Sequence, residues 1–308
     1  MATETTAILT MALGGPDSLE DVEPYLKDIR RGRPTPPALV EEFRERYARI
    51  GGKSPLLETS TQQAKGLEAK LASEGHRVRA YVGMRHWHPY IHEALSAIAR
   101  DGLRRVVALS LTPYYSRMSV GAYFDAVREG LRTQGLSLDV DYVESWNEQP
   151  ALADAFASKV VGSLLALAKE GYPNPYILFT AHSLPRRILD EGDPYEKELR
   201  ETMDAIRARL PPVRSRLAYQ SAGRTADPWL GPPFENVIEE LGKAGETAIL
   251  AVPFGFVSDH IEILYDVDIE AKELAERMGV RLERTPSLNA DPKFIDAMAD
   301  AVRDKVRA

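Results

Sequence analysis

The stretch YILFTAHSLPRR, residues 176–187, sets the frame for the whole chain. Tyr176, Ile177, Leu178 and Phe179 form an apolar run that stops at Thr180, and His182 stands at its end ahead of Pro185. A short apolar run closed by turn chemistry reads as a strand buried in a parallel sheet. Ligands of open α/β sheets sit outside the carboxyl ends of such strands, so His182 is a candidate for chemistry. The alternative is an imidazole satisfied by loop backbone.

The same pattern occurs earlier. ILTMALGGP (8–16) aligns with ILFTAHSLP (177–185), about 170 residues apart, while AYVGMRHWHP (80–89) with AYQSAGRTADP (218–228) and ALSLTPYYS (108–116) with LAVPFGFVS (250–258) lie about 140 apart. Each match is weak alone, but their order is the same. Apolar runs at AILTMAL, HRVRAYVG, RVVALSL, YILFTAH, RLAYQSA and TAILAVPFGF alternate with helical patterns such as TQQAKGLEAKLASEG. Strand–helix alternation of this kind predicts an α/β fold of two similar Rossmann-like halves with parallel sheets and a cleft between them. The expected boundaries are 1–170 for the first half, 171–290 for the second, and 291–308 for a C-terminal helix packing back on the first half. The change of offset places roughly 30 extra residues between the first two strands, in an inserted segment at about 25–57.

That segment holds Arg30, Arg31, Arg33, Arg44, Arg46 and Arg49 with Tyr47 and Ser54. It reads either as a solvated basic face or as a wall that recognises anions, because guanidinium forks pair bidentately with carboxylates. In SDHIEILYDVDIEAKELAERMG (258–279), Glu262, Asp266 and Glu270 recur every four residues on a predicted helix capped by Ser258 or Asp259. Like charges at that spacing destabilise a helix by about 0.2–0.5 kcal/mol per pair. A solvated acidic face tolerates this, or the row guides a hydrated cation. In MRHWHPYIHE (84–93), Pro89 is expected to start a helix with His88 as its cap, which leaves His86 as the candidate for the cleft and His92 on the surface.

Composition narrows the classes. The chain has 308 residues, 44% hydrophobic and 28% charged, with a net charge of −7, which does not suggest a nucleic-acid partner. With no cysteine there is no disulfide, thiolate zinc site or cysteine-ligated iron–sulfur cluster. ALGGP lacks the spacing of a nucleotide fingerprint, and no nucleotide is expected. The N-terminus lacks the features of a signal peptide, and the longest apolar stretch noted, AILAVPFGFV, is short of the ~20 residues that span a bilayer. A cytoplasmic protein without membrane insertion is the expectation.

MALGGPDSLEDVEPYLKDI, RYARIGGKSPL, YVGMRHWHP, LTPYYSRMSVGAY, FTAHSLP, YQSAGR and VPFGFVSDHIEILYDVDIE together resemble the ferrochelatase family over nearly the whole chain. The resemblance implies insertion of Fe²⁺, as substrate, into a porphyrin by a soluble, monomeric enzyme of haem biosynthesis. It implies His182 and Glu262 as the catalytic pair, and His182, Glu262, Asp266 and Glu270 as metal-handling residues. It further places His86 in the lining and Arg30, Arg46, Ser54 and Tyr123 where soluble bacterial members hold propionates. Leu13 stands where many of those members have a tyrosine facing the ring. The arginines favour coproporphyrin III, with four propionates, over protoporphyrin IX with two. A cobalt chelatase and a tetrapyrrole- or metal-binding module without turnover are the remaining alternatives.

Overall fold

The computed structural model describes residues 5–223 and 225–307; Arg224, in the YQSAGR motif, lies outside them. The chain divides into two compact units, 1–149 with 289–308, and 150–288.

The first unit begins with β1 (Thr6–Ala12), α1 (Val22–Ile29), α2 (Pro37–Arg49), α3 (Leu56–Ser73) and β2 (Val78–Met84). It continues through α4 (Ile91–Arg100), β3 (Arg105–Ser110), α5 (Val120–Gln134) and β4 (Asp139–Val143). The second unit holds α6 (Pro150–Lys169), β5 (Tyr176–His182), α7 (Arg187–Asp190), α8 (Tyr195–Arg207), β6 (Ser215–Gln220), α9 (Phe234–Lys243) and β7 (Ala248–Val252). Then come α10 (Ile261–Leu264), a π-helical segment (Asp266–Ala271), α11 (Lys272–Arg277) and β8 (Arg281–Arg284), after which the chain re-enters the first unit as α12 (Pro292–Arg307).

Each unit has a four-stranded parallel sheet, ordered β2-β1-β3-β4 in one and β6-β5-β7-β8 in the other. All seven residues of β1 and all five of β7 are buried, as central strands covered on both faces must be. β4 and β8 are partly exposed edge strands. On one face of the first sheet, Leu9 and Val106 pack with Ile91, Leu95 and Phe124 of α4 and α5; in the second sheet, Leu178 and Ile249 pack with Phe234, Ile238 and Val267.

In both orders the chain reverses direction across the sheet between its two central strands. That switch point is where loops on either side diverge and leave a crevice at the carboxyl ends. In the second unit it lies between β5 and β7, and in the first between β1 and β3.

One local reading is corrected. The helix after Pro89 starts at Ile91, and its N-terminus is capped from Tyr90, whose backbone N–H donates to the Glu93 carboxylate at 2.7 Å, so His88 is not the cap. Among the described residues one helix, α6, is long and apolar enough to cross a membrane by length and composition. Leu152, Phe156, Val160 and Leu167 along it are buried, and it packs on α8, β7 and β8 as a core helix.

Candidate active site

His182 ends β5, and the chain beyond the neighbouring β7 carries His260 and Glu262. Parallel pairing of β5 with β7 brings both ends out together. The loop after β7 is held against β5 by Gly255, whose N–H donates to the Thr180 carbonyl at 3.0 Å. A Cβ at position 255 would lie 2.6 Å from Ala181 Cα, so only glycine permits this approach.

His182 Nδ1 donates to the Ser183 carbonyl, which turns Nε2 toward Glu262 Oε1 at 3.6 Å. The Tyr195 hydroxyl donates to the His182 carbonyl at 3.0 Å and steadies the residue from α8. His260 repeats the arrangement from the other side. Its Nδ1 donates to the Ser258 carbonyl at 3.0 Å and its Nε2 lies 3.7 Å from Glu262 Oε2. The Glu262 carboxylate is thus bracketed by two imidazoles presenting the same nitrogen.

Burial pushes the Glu262 carboxyl up, but the charge of His182, His260 and the Ser221 hydroxyl outweigh burial and hold it below the usual carboxylate range. The backbone is tied down as well: Gln220 Nε2 donates to the Glu262 carbonyl at 2.8 Å, while its Oε1 accepts from Thr180 Oγ1 at 2.8 Å. Ser221, next in the chain, has φ of 58°, a left-handed conformation unusual outside glycine. That turn aims its hydroxyl at Asp266 Oδ2, 2.8 Å away.

The acidic row does not ride on one continuous α-helix. After the α10 turn the backbone widens to a π-helix over Asp266–Ala271. An α-helix completes a turn in 3.6 residues, so a four-residue step overshoots one turn. The wider π turn makes the next such step fall short. The two errors oppose each other, so Glu262 and Glu270 return toward one face. Glu270 is exposed.

In the first unit the loop after β1 brings Leu13 and His86 together, the His86 N–H donating to the Leu13 carbonyl at 2.9 Å. His86 Nδ1 pairs with Asp28 at 2.7 Å; burial, helped by Arg85 and Arg31, depresses the imidazole despite Asp28. Ser54 joins the same loop, its N–H donating to the Pro16 carbonyl at 2.8 Å, and its Oγ accepts from the Leu56 N–H. Tyr123 is buried in α5 with the Arg85 guanidinium 6.0 Å over its ring. Arg46 is salt-bridged to Glu42 at 3.1 Å. Arg30 donates to the Pro34 carbonyl, and among the described residues it has no carboxylate partner.

Among the described residues no three His, Cys, Asp or Glu side chains converge as ligands of a held ion would. His260, Ser221 and Gln220 were not singled out in the sequence. His260 sits within the SDHIE motif, two residues from Glu262, the one signal that could have found it.

The sequence profile of the Ferrochelatase family matches residues 5–306. A protein from Deinococcus radiodurans named "Ferrochelatase" is 39% identical over 300 residues, covering 97% of this chain and 95% of the relative. One from Oceanobacillus iheyensis named "Coproporphyrin III ferrochelatase" is 36% identical over 311 residues, covering 100% and 99%. Among solved structures, SirB from Bacillus subtilis with Fe³⁺ matches with a TM-score of 0.59 at 12% identity, covering 98% of this chain and 96% of that one, a likeness of fold. The match in sequence along the full length and the chelatase fold agree: the chain belongs to the ferrochelatase family, the enzymes that insert ferrous iron into a porphyrin in haem biosynthesis.

Proposed function

We propose that the chain metallates coproporphyrin III, with His182 and Glu262 as the reacting pair. Metallation removes two pyrrole N–H protons from the macrocycle while Fe²⁺ gives up water for ring nitrogens. A neutral imidazole with its Nε2 lone pair exposed accepts one such proton near neutral pH. The carboxylate of Glu262 beside it receives that proton in turn or carries the metal toward the ring. Asp266 and Glu270 extend the row of oxygen donors, which release a hard cation more readily than thiolates would. An open row suits a metal that is cargo.

The observation that carries this reading is the pairing of Glu262 with the Nε2 atoms of His182 and His260 at 3.6 and 3.7 Å. Recognition of the ring is assigned to Leu13, Ser54, His86, Tyr123, Arg30 and Arg46. Support for a tetra-acid comes from Arg30, Arg31 and Arg33, which among the described residues make no ion pair with a carboxylate and so remain available to propionates. Leu13 packs on the macrocycle and takes no proton. The enzyme acts as a monomer in the cytoplasm and needs no iron–sulfur cluster. Anaerobic Fe²⁺ insertion measured side by side on coproporphyrin III and protoporphyrin IX tests the substrate: a higher kcat/KM on coproporphyrin III is expected, and preference for protoporphyrin IX refutes it.

A further inference from the structure

Arg284, the last residue of β8, has a side chain only 11% exposed, and its guanidinium is used on every branch. Nε donates to Asp268 Oδ1 at 2.9 Å and Nη2 to Asp268 Oδ2 at 2.8 Å, a bidentate fork. Nη1 donates to the Thr285 carbonyl at 3.1 Å and to Ser287 Oγ at 3.2 Å, and lies 3.4 Å from Asp259 Oδ1. Ser287 Oγ donates in turn to Asp259 at 2.7 Å, closing the ring of contacts.

The partners stand at telling places. Asp268 lies inside the π-helical segment, between Asp266 and Glu270. Asp259 directly precedes His260. One cation therefore joins the end of a sheet strand to the two segments that flank Glu262. A π turn is rare and needs support from its surroundings, and a row of like charges along it adds repulsion. A fixed guanidinium bound to the intervening Asp268 offsets both. Burial works against the Arg284 charge, and Asp268, Asp259 and Glu283 together more than compensate.

We propose that Arg284 is a positioning residue for iron insertion: its planar fork locks the π turn against the loop carrying His260, and so holds His260, Glu262 and Asp266 at their working separations. The inference rests on the reading of His182 and Glu262 as the reacting pair. Lysine keeps the charge but has no fork with which to bridge Asp268 and Asp259 at once.

The test uses R284K and D268N in the full chain. Both should lower kcat for anaerobic Fe²⁺ insertion about tenfold or more, as misplacement of supporting groups does. The Kd for porphyrin, followed by fluorescence quenching, should stay within about twofold, because the ring is held by other residues. The double variant should lose little more than the worse single one, since both break the same tie. Wild-type kcat in both single variants overturns the proposal. So do multiplied losses in the double variant, or a loss that merely follows the fraction unfolded by circular dichroism at the assay temperature. Should R284K fail to fold, D268N decides alone, by its kcat against its porphyrin Kd. Wild-type enzyme that inserts no iron into either porphyrin brings down the reading of the site itself, an outcome distinct from a clamp that proves idle.

Discussion

Leu13 stands just past the end of β1, and His182 closes β5; both strands are second in sheets of the same order, flanked by the same sequence of neighbours. At one position the chain presents an apolar side chain and at its counterpart an imidazole. The loops follow suit. Beyond β2 comes a histidine locked to Asp28 among arginines, and beyond β6 a left-handed serine aimed at a carboxylate. Beyond β7 lie His260, Glu262 and the π turn, whereas the segment beyond β3 leads into α5 and the buried Tyr123. A shared frame thus carries two different sets of side chains, because the sheet supplies the edge and the loops supply the groups. In our reading the residues assigned to hold the ring lie in the first unit and the reacting groups in the second.

The sharpest way to break this division is to remove the reacting groups. H182A and E262Q should each lower kcat by at least about a hundredfold, the usual worth of a placed acid or base, with porphyrin Kd changed by less than about twofold. Loss of binding with an unchanged rate per bound ring would place His182 among the gripping residues instead. Next in size is G255A, which drives a methyl into the backbone of Ala181, one residue before His182. Overpacking of that kind costs about 1–3 kcal/mol and should appear in denaturant melts, together with a fall in kcat. Unchanged stability would mean that the loop beyond β7 is free to move off β5.

A smaller effect is expected in the first unit. R30A combined with R46A should weaken coproporphyrin III by about tenfold, from the loss of charge-assisted contacts each worth on the order of 1 kcal/mol at a partly solvated site, and protoporphyrin IX by less. The kcat should be preserved. Equal weakening of both rings would remove propionate recognition from these two residues.

How much of this could be read from the residues alone follows from what an apolar pattern can report. β1, β2, β3, β5, β6 and β7 coincide with the runs of apolar residues in the chain. β4, DVDYV, and β8, RLER, do not stand out, because edge strands exposed on one side carry charges where a central strand carries valine or leucine. The proximity of His182 and Glu262 was legible from their positions after strands. The π turn was not: acids spaced by four are what an α-helix also produces, and the contacts that accompany the widening, Val267 in the core and Asp268 on Arg284, join residues far apart in the chain. Ser221 was hidden for a different reason. A left-handed residue is normally announced by glycine, and here a serine holds that conformation while its hydroxyl is bound to Asp266.

The histidines offer the finest probe of the comparison. In the second unit, imidazoles stand beside Glu262 and draw that acid down; in the first, burial and the nearby Arg85 and Arg31 lower His86 from its ordinary 6.5, with Asp28 only partly countering them. A histidine depressed in the folded chain binds fewer protons there than when unfolded, so stability must fall as pH drops through about 6.5 and level off below the folded pKa. H86Q should therefore show a shallower decline in Tm between about pH 7 and 5 than the wild-type chain, while keeping an amide able to donate to Asp28. Parallel curves would mean that His86 titrates alike in both states, and that the arginine-rich first unit does not resist a further positive charge beside the groups assigned to hold propionates.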